Sequence, residues 1–160
     1  MRHGSILLAL LALAACRGEG DSVGNGAAPG GTPAQTATLT GLYEGGEGPR
    51  RNQMCMIERD GTTRFGLVVW AREGNTSCSG EGRATRDGDR LSLAMRGDET
   101  CVIPARIEGT RVTLPDSLPQ GCAYYCAAGA EMTGTAFDKT GGAEADAMRA
   151  VDLVDDPLCG

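Results

Sequence analysis

Residues 78–93 read CSGEGRATRDGDRLSL, and this stretch carries the pattern that decides the fold. The same order of features occurs three times, in residues 55–67, 78–93 and 101–114. Each copy begins with cysteine, passes through a strand-like run to a Gly turn, and ends in arginine, an apolar residue, any residue and leucine. The first two turns are Asp-Gly pairs, the strongest short-range hairpin signal, because such a turn needs a positive φ that glycine adopts without strain. The pattern predicts three successive β-hairpins.

Apolar and polar residues alternate in the strands of these hairpins, as expected for a β-sheet with one buried face and one exposed face. Leu91, Leu93 and Met95 share one face, and in the next strand the odd-numbered residues 101–107 share another. Pro104 cannot donate a ladder hydrogen bond, which predicts a sheet edge or a bulge at this position. Residues 65–71 are continuously apolar and are predicted to form the most buried strand.

Two further strands are predicted at residues 41–45 and 131–138, which brings the total to about eight. Closely spaced turn signals favour an all-β fold: a small antiparallel up-and-down barrel or sandwich, braced by disulfides. A short helix is predicted over residues 143–154, where Ala147, Met148, Val151 and Val154 would share one face.

The first fifteen residues have the pattern of an export signal. A basic start is followed by a short apolar stretch, residues 6–15, and then by an abrupt polar change. About ten apolar residues give roughly 15 Å of helix, half of what a bilayer core needs. Residues 1–15 are therefore predicted to be a cleaved signal peptide.

The sequence Leu13-Ala14-Ala15-Cys16 resembles the lipobox of bacterial lipoproteins at all four positions. The resemblance implies a diacylglycerol thioether, and usually a third chain such as palmitate, on Cys16, so that the protein would be anchored to a membrane by lipid. Arg17 follows the cysteine where inner-membrane lipoproteins of enteric bacteria typically carry Asp. By this resemblance the periplasmic side of the outer membrane is favoured over the inner membrane.

Residues 16–40 are rich in Gly, Ala and Thr and cannot bury a core, so they are predicted to be the lipidated cysteine and a flexible tether with a reach of about 25–30 Å. Residues 41–160 form the predicted domain. The chain has a net charge of −6. Such a surface repels phosphate backbones, so nucleic-acid binding is not expected.

The chain contains seven cysteines. With Cys16 assigned to lipid, the remaining six can form three structural disulfides in an oxidising periplasm. These six are Cys55, Cys78, Cys101, Cys122, Cys126 and Cys159. Six cysteines allow fifteen pairings. The favoured pairs are Cys55 with Cys78 and Cys101 with either Cys122 or Cys126, while Cys159 is expected to tie the C-terminal segment to the barrel.

The only histidine, His3, leaves with the predicted signal peptide, so neither a Ser-His-Asp nor a Cys-His arrangement can be built. Lys139 is the sole lysine and falls in a Gly-rich region predicted to be a turn. No catalytic residue, metal site or cofactor is predicted, and the domain is expected to be non-enzymatic. Trp70, Tyr124 and Tyr125 are the candidate recognition residues, since aromatics with a polar tip dominate binding hot spots. For Trp70, packing in the core is the favoured alternative.

Three functions are compatible with these features. The favoured one is a lipid-anchored binding or structural domain of the cell envelope, with an envelope protein or a small apolar ligand as partner. The layout also resembles the membrane-bound lysozyme inhibitors, which use a Ser-Gly-x-x-Tyr loop; here Ser79-Gly80 matches, but Arg83 stands in place of Tyr. A ligand carrier resembling lipocalins is the third, although the Gly-x-Trp motif of that family is absent. The overall layout is similar to small lipoproteins of GC-rich Gram-negative bacteria.

Overall fold

The computed structural model describes residues 37–48 and 50–160. The predicted signal peptide, Cys16 and most of the predicted tether lie outside these residues. Eight antiparallel strands form a closed barrel, in which each strand pairs with the next and the last pairs with the first. The strands are β1 (Gly41–Gly45), β2 (Asn52–Arg59), β3 (Thr62–Trp70), β4 (Ser77–Asp87), β5 (Arg90–Met95), β6 (Val102–Glu108), β7 (Arg111–Thr113) and β8 (Ala136–Gly141). The predicted up-and-down, all-β fold is confirmed, and it is a barrel.

The three predicted hairpins are confirmed as β2–β3, β4–β5 and β6–β7. Positive φ occurs in each turn, at Asp60 and Gly61 (52° and 72°), at Gly88 (63°) and at Gly109 (60°). The three turns lie together at one end of the barrel, called here the turn end. Residues 114–135 connect β7 to β8 at the opposite end and are called here the cap.

The barrel interior is filled by apolar side chains. Tyr43, Phe65 and Phe137 are the largest of them, and each is at most 1 % exposed. The predicted alternation is confirmed, because Leu91, Leu93 and Met95 point inward while Ala94 between them is exposed. The interior also includes Met54, Met56, Leu67, Val69, Ile103, Ala105, Ile107, Val112, Leu114 and Met132. The predicted most buried strand is β3, where residues 65–69 are all buried.

Gly82 shows how closely this interior is packed. A Cβ at this position would lie 2.0 Å from the carbonyl oxygen of Ala94 and 2.9 Å from the ring of Phe65. Neither the backbone of β5 nor the aromatic ring could yield that much space without moving neighbours. The absence of a side chain at position 82 therefore lets Phe65 fill the barrel.

Pro104 lies in β6 opposite Ser92 of β5. In this antiparallel pairing, hydrogen-bonded and non-hydrogen-bonded residue pairs alternate. The N–H of Met95 donates to the carbonyl of Cys101, so odd-numbered residues of β6 bond to β5. Pro104 is therefore in a non-hydrogen-bonded pair, and its nitrogen faces away from β5. On that side β7 is short and reaches only to the pairing of Arg106 with Thr113. Pro104 thus lies at a local edge within a closed barrel, and its missing N–H interrupts no ladder.

The C-terminal segment, residues 142–160, packs on the outside of the barrel over β1, β2 and β3. Ala147, Ala150 and Leu158 are buried there against Leu42, Cys55, Ile57 and Val68, which face outward from the wall. The barrel wall is consequently buried on both faces along these strands. A second, smaller hydrophobic cluster therefore stabilises the fold outside the main interior.

The helix predicted over residues 143–154 is much shorter, since α1 covers only Glu144–Ala147. Beyond it the carboxylate of Asp152 accepts the N–H groups of Val154 (2.8 Å) and Asp156 (3.0 Å), and this local side-chain bonding favours a turn over continued helix. Met148 is 38 % exposed and Val154 is 73 % exposed, so the predicted apolar face is wrong at both of these residues. Leu158 then donates its N–H to the carbonyl of Ala150 at 2.9 Å as the chain returns to the barrel.

The last strand also differs from its predicted position. Residues 131–138 were expected, but β8 begins at Ala136 and ends at Gly141. Gly134 adopts a positive φ of 63° and donates its N–H to the carbonyl of Pro115 at 2.9 Å. The bond to Pro115 ties this turn to the start of the cap, so residues 131–135 belong to the cap and are excluded from the strand.

Residues 37–40, called here the leading segment, lie across the turn end. The side chain of Leu39 is 2 % exposed and belongs to the barrel interior. The hydroxyl of Tyr43 donates to the carbonyl of Leu39 at 2.7 Å, and the N–H of Leu39 donates to the carboxylate of Glu58 at 2.8 Å. The last four residues of the predicted tether therefore pack against the barrel.

The described chain contains two short helices, of six and four residues. Neither of them has the length and apolarity that a membrane-spanning helix requires.

Candidate functional site

The cap is the longest connection in the barrel and carries its most exposed aromatic side chain. It leaves β7 through Leu114, which is buried and donates its N–H to the carbonyl of Thr135 at 2.8 Å. A 3₁₀ helix, η1, spans Gln120–Tyr125 after Pro119. The cap then returns to the barrel wall, where Ala127 donates its N–H to the carbonyl of Ser77 at 2.9 Å.

Two disulfides attach the cap to the barrel. Cys101 pairs with Cys122, and Cys78 pairs with Cys126. The predicted bond between Cys101 and one of the two cap cysteines is therefore confirmed. Since both bonds lie within or next to η1, this part of the cap is covalently fixed to the barrel at two points, which limits its conformational freedom.

The predicted pairing of Cys55 with Cys78 is wrong, because Cys55 pairs with Cys159. Cys78 faces the barrel interior, whereas Cys55 faces outward into the smaller cluster. The wall of the barrel separates the two thiols. The expectation that Cys159 ties the C-terminal segment to the barrel is confirmed, and its partner lies at the middle of β2.

The two tyrosines of η1 have different environments, although their rings touch edge to face with centroids 5.3 Å apart. Tyr125 is partly buried beside Gly80, and its hydroxyl donates to the carbonyl of Arg96 at 2.9 Å. The partial burial of its phenol raises the pKa of Tyr125. Tyr124 is 81 % exposed and is free to contact a partner. Tyr125 therefore packs against the barrel, and Tyr124 is exposed beside it.

Trp70 lies elsewhere, on the outer wall at the end of β3. It is half-buried against the smaller cluster, and the guanidinium of Arg50 lies 4.3 Å from the centre of its ring. Its backbone N–H donates to the side-chain oxygen of Asn52 at 2.8 Å. The structure does not bring Trp70 together with the tyrosine pair, and Arg50 already covers one face of the indole.

A cleft of about 630 Å³ opens in the cap beside η1. Apolar groups form its floor, among them Leu118, Met132 and the disulfide-bonded Cys122, while Asp116 and Glu131 are exposed at its rim. Composition and periodicity did not single out these residues as a site, because residues 114–130 have neither strand nor helix periodicity and residues 131–138 were predicted to be a strand. Their only sequence signal is the pair of cysteines, which fixes them against the barrel.

Ser79 and Gly80, which match the inhibitory loop of the lysozyme inhibitors, lie within β4 and pair with Val68 and Leu67 of β3. They form part of the barrel wall and do not project from it. The partial motif therefore lacks the loop that the resemblance implies.

Lys139 was expected in a turn, but it lies in β8. Its amine donates to the carbonyl of Thr38 at 2.8 Å and lies 5.5 Å from the centre of the Tyr43 ring. Partial burial lowers the pKa of Lys139, and burial raises the pKa of Tyr43 to about 12. Both groups hold the leading segment at the turn end, far from the cap.

Within residues 37–48 and 50–160, no cluster of three or more His, Cys, Asp or Glu side chains is arranged to hold a metal ion. The cap combines an exposed aromatic side chain and an open cleft on a segment that two disulfides hold to the barrel. Comparison of the chain with protein-family models, with curated proteins and with solved structures gave no match.

Proposed function

We propose that this protein is a lipid-anchored protein of the cell envelope, attached through Cys16, whose barrel is a non-enzymatic binding domain that contacts an envelope protein through the cap. The observation that carries the proposal is Tyr124, which is 81 % exposed on a segment fixed to the barrel by two disulfides. Exposed aromatic groups that need little ordering are favourable anchors for protein recognition.

The position of the cap supports this proposal. The chain enters the barrel through residues 37–40 at the turn end, and the cap lies at the opposite end. The cap is therefore remote from the point at which the predicted tether joins the barrel. The periplasmic side of the outer membrane is the location that the residues around Cys16 favour.

Two other functions receive less support. A lipocalin-like carrier needs an internal cavity, but Tyr43, Phe65 and Phe137 fill the centre of this barrel. For a lysozyme inhibitor, the Ser79-Gly80 match lies in a strand. Purified protein at micromolar concentration is therefore expected to leave lysozyme activity unchanged, and inhibition in that assay would favour the inhibitor hypothesis instead.

The anchor is tested by producing the full chain in a Gram-negative host and measuring the mass of its N-terminal peptide. We expect cleavage before Cys16, a diacylglycerol on its sulfur, and recovery in the outer-membrane fraction. The Cys16→Ala variant should lose the lipid. An unacylated native chain in the soluble fraction would refute the anchor.

The binding surface is tested separately by photo-crosslinking in intact cells. A photoreactive benzoylphenylalanine replaces Tyr124 in one variant and Glu108 in the control. The Glu108 side chain is 71 % exposed but lies at the turn end. We expect a light-dependent adduct with a single envelope protein from position 124 and none from position 108. Equal adducts from both positions, or none from position 124, would refute recognition through the cap.

A further inference from the structure

The cap cleft combines an apolar floor with an acidic rim. Met132, at its floor, is 1 % exposed, and Leu118 packs against the main core. Asp116 and Glu131, at its rim, are both exposed. An apolar floor favours a hydrocarbon chain, and carboxylates at its edge favour a positive charge at the end of that chain.

The charge of the cap is uncompensated. Residues 114–135 contain two acidic residues and no lysine or arginine. Among the described residues, no ion pair includes Asp116 or Glu131; the ion pair nearest the cap joins Arg96, in the loop after β5, to Glu81 of β4. The cap itself therefore carries two negative charges and no positive charge, which favours cationic groups at its surface.

A neighbouring loop carries further acidic residues. Asp98 and Glu99 lie between β5 and β6, and a Cβ on Gly121 of η1 would be 3.0 Å from the carboxylate of Asp98. Hydrogen bonds from Thr100 lower the pKa of Asp98. Arg96 in the same loop forms an ion pair with Glu81 at 2.6 Å, and among the described residues neither Asp98 nor Glu99 takes part in an ion pair.

We propose that the cap cleft binds a basic segment of a protein partner, with the hydrocarbon stem of a lysine or arginine on the apolar floor and its cationic head at the rim beside Asp116 and Glu131. Lysine and arginine bury their stems on apolar surfaces while their charge stays in water, which matches the two parts of the cleft. This inference rests on the proposed function, since it specifies the partner that the cap recognises.

Methyl NMR of the full chain, labelled at the methionine methyl groups, tests the inference. Met132 reports on the cleft floor, and Met54, fully buried in the barrel interior, is the internal reference. The probes are a basic peptide in which lysines alternate with leucines and an acidic peptide with glutamates in place of the lysines. We expect the basic peptide to shift the Met132 signal in a saturable, salt-sensitive way, the acidic peptide to leave it unchanged, and the Met54 signal to stay in place.

A matched pair of charge variants completes the test. Asp116→Asn combined with Glu131→Gln should weaken binding of the basic peptide about fivefold, as expected for the loss of two exposed charge contacts. Asp87→Asn combined with Glu108→Gln makes the same change in net charge at the turn end and should leave the affinity unchanged. Equal loss in both variants, or no shift at Met132 with the basic peptide, would overturn the inference.

The two proposals fail in distinguishable ways. If Tyr124 crosslinks to an envelope protein but the basic peptide does not shift Met132, recognition through the cap stands and the basic partner is refuted. If position 124 gives no adduct, recognition through the cap, on which this inference rests, is itself refuted.

Discussion

Removal of the Cys55–Cys159 disulfide is expected to cost more stability than removal of either bond in the cap. This bond joins residues separated by 104 positions, whereas Cys101 and Cys122 are separated by 21. The entropy that a crosslink removes from the unfolded chain grows with the length of the closed loop. It corresponds to about 4.8 kcal/mol for the longer loop and about 3.4 kcal/mol for the shorter one.

The comparison uses two double variants, Cys55→Ala with Cys159→Ala and Cys101→Ala with Cys122→Ala. All four cysteines are buried, at most 3 % exposed, so the cavities left by the missing sulfur atoms are similar in the two variants. The difference in unfolding free energy therefore isolates the effect of loop length. We expect the first variant to be less stable by about 1.4 kcal/mol than the second.

Denaturant unfolding of each full-length variant, followed by far-ultraviolet circular dichroism, measures this difference after linear extrapolation. The variant with separation 48, Cys78→Ala with Cys126→Ala, should fall between the other two. If the variant lacking Cys101–Cys122 is as unstable as the one lacking Cys55–Cys159, loop closure does not determine the contribution of these bonds and the reasoning is refuted.

Three further changes test the interior, the turn end and the outer wall. Gly82→Ala should lower the unfolding free energy by about 1–3 kcal/mol, because the added methyl overlaps the backbone of β5; thermal denaturation measures the loss. Tyr43→Phe should cost about 1 kcal/mol through the lost hydrogen bond and should also flatten the stability profile at high pH. Because burial raises the pKa of Tyr43 to about 12, the parent protein should lose stability as the pH rises from 10 towards 12, and denaturant titrations across this range measure the slope. Arg50→Ala should shift the fluorescence of the single tryptophan, Trp70, to longer wavelength as its ring becomes more exposed to water.

Each of these changes has a control. Gly142→Ala should be neutral, because a Cβ there meets nothing within 4 Å and this glycine has no positive φ; equal losses at positions 82 and 142 would contradict the packing argument. An unchanged slope at high pH in Tyr43→Phe would show that this phenol does not carry the effect. Arg72→Ala removes a nearby charge without removing the stacked guanidinium, and an equal spectral shift in that variant would contradict the role of Arg50.

The sequence predicts the hairpins well because their determinants are local. An Asp-Gly turn and strict alternation of apolar residues specify two adjacent strands without reference to the rest of the chain. The length of the helix predicted at residues 143–154 was overestimated because local apolar spacing does not show where a helix ends. Its apolar spacing is real, but the side chain of Asp152 stabilises a turn, and the bond from Cys159 to Cys55 draws the chain back onto the wall.

The cysteine pairing and the cleft depend on contacts between distant parts of the chain. Whether Cys55 faces inward or outward depends on the pairing register of β2, and a change of one residue would reverse the face. The cleft residues Asp116 and Leu118 lie in a segment without periodicity, and Met132 lies in a segment predicted as a strand, so only the closed barrel and its two cap disulfides bring them together. By contrast, residue type alone identified Tyr124 as a candidate contact.

The pairing of β1 on both sides has a mechanical consequence. The chain passes from the leading segment straight into β1, which is hydrogen-bonded to β2 on one side and to β8 on the other. Suppose that the chain is pulled from the residues before Ala37 while the cap is held in place. The force then acts along β1, and the hydrogen bonds of both ladders run perpendicular to that force. Both ladders are then loaded in shear, so their hydrogen bonds share the load and must break together. Sequential breaking of single bonds from one end is not possible in this geometry.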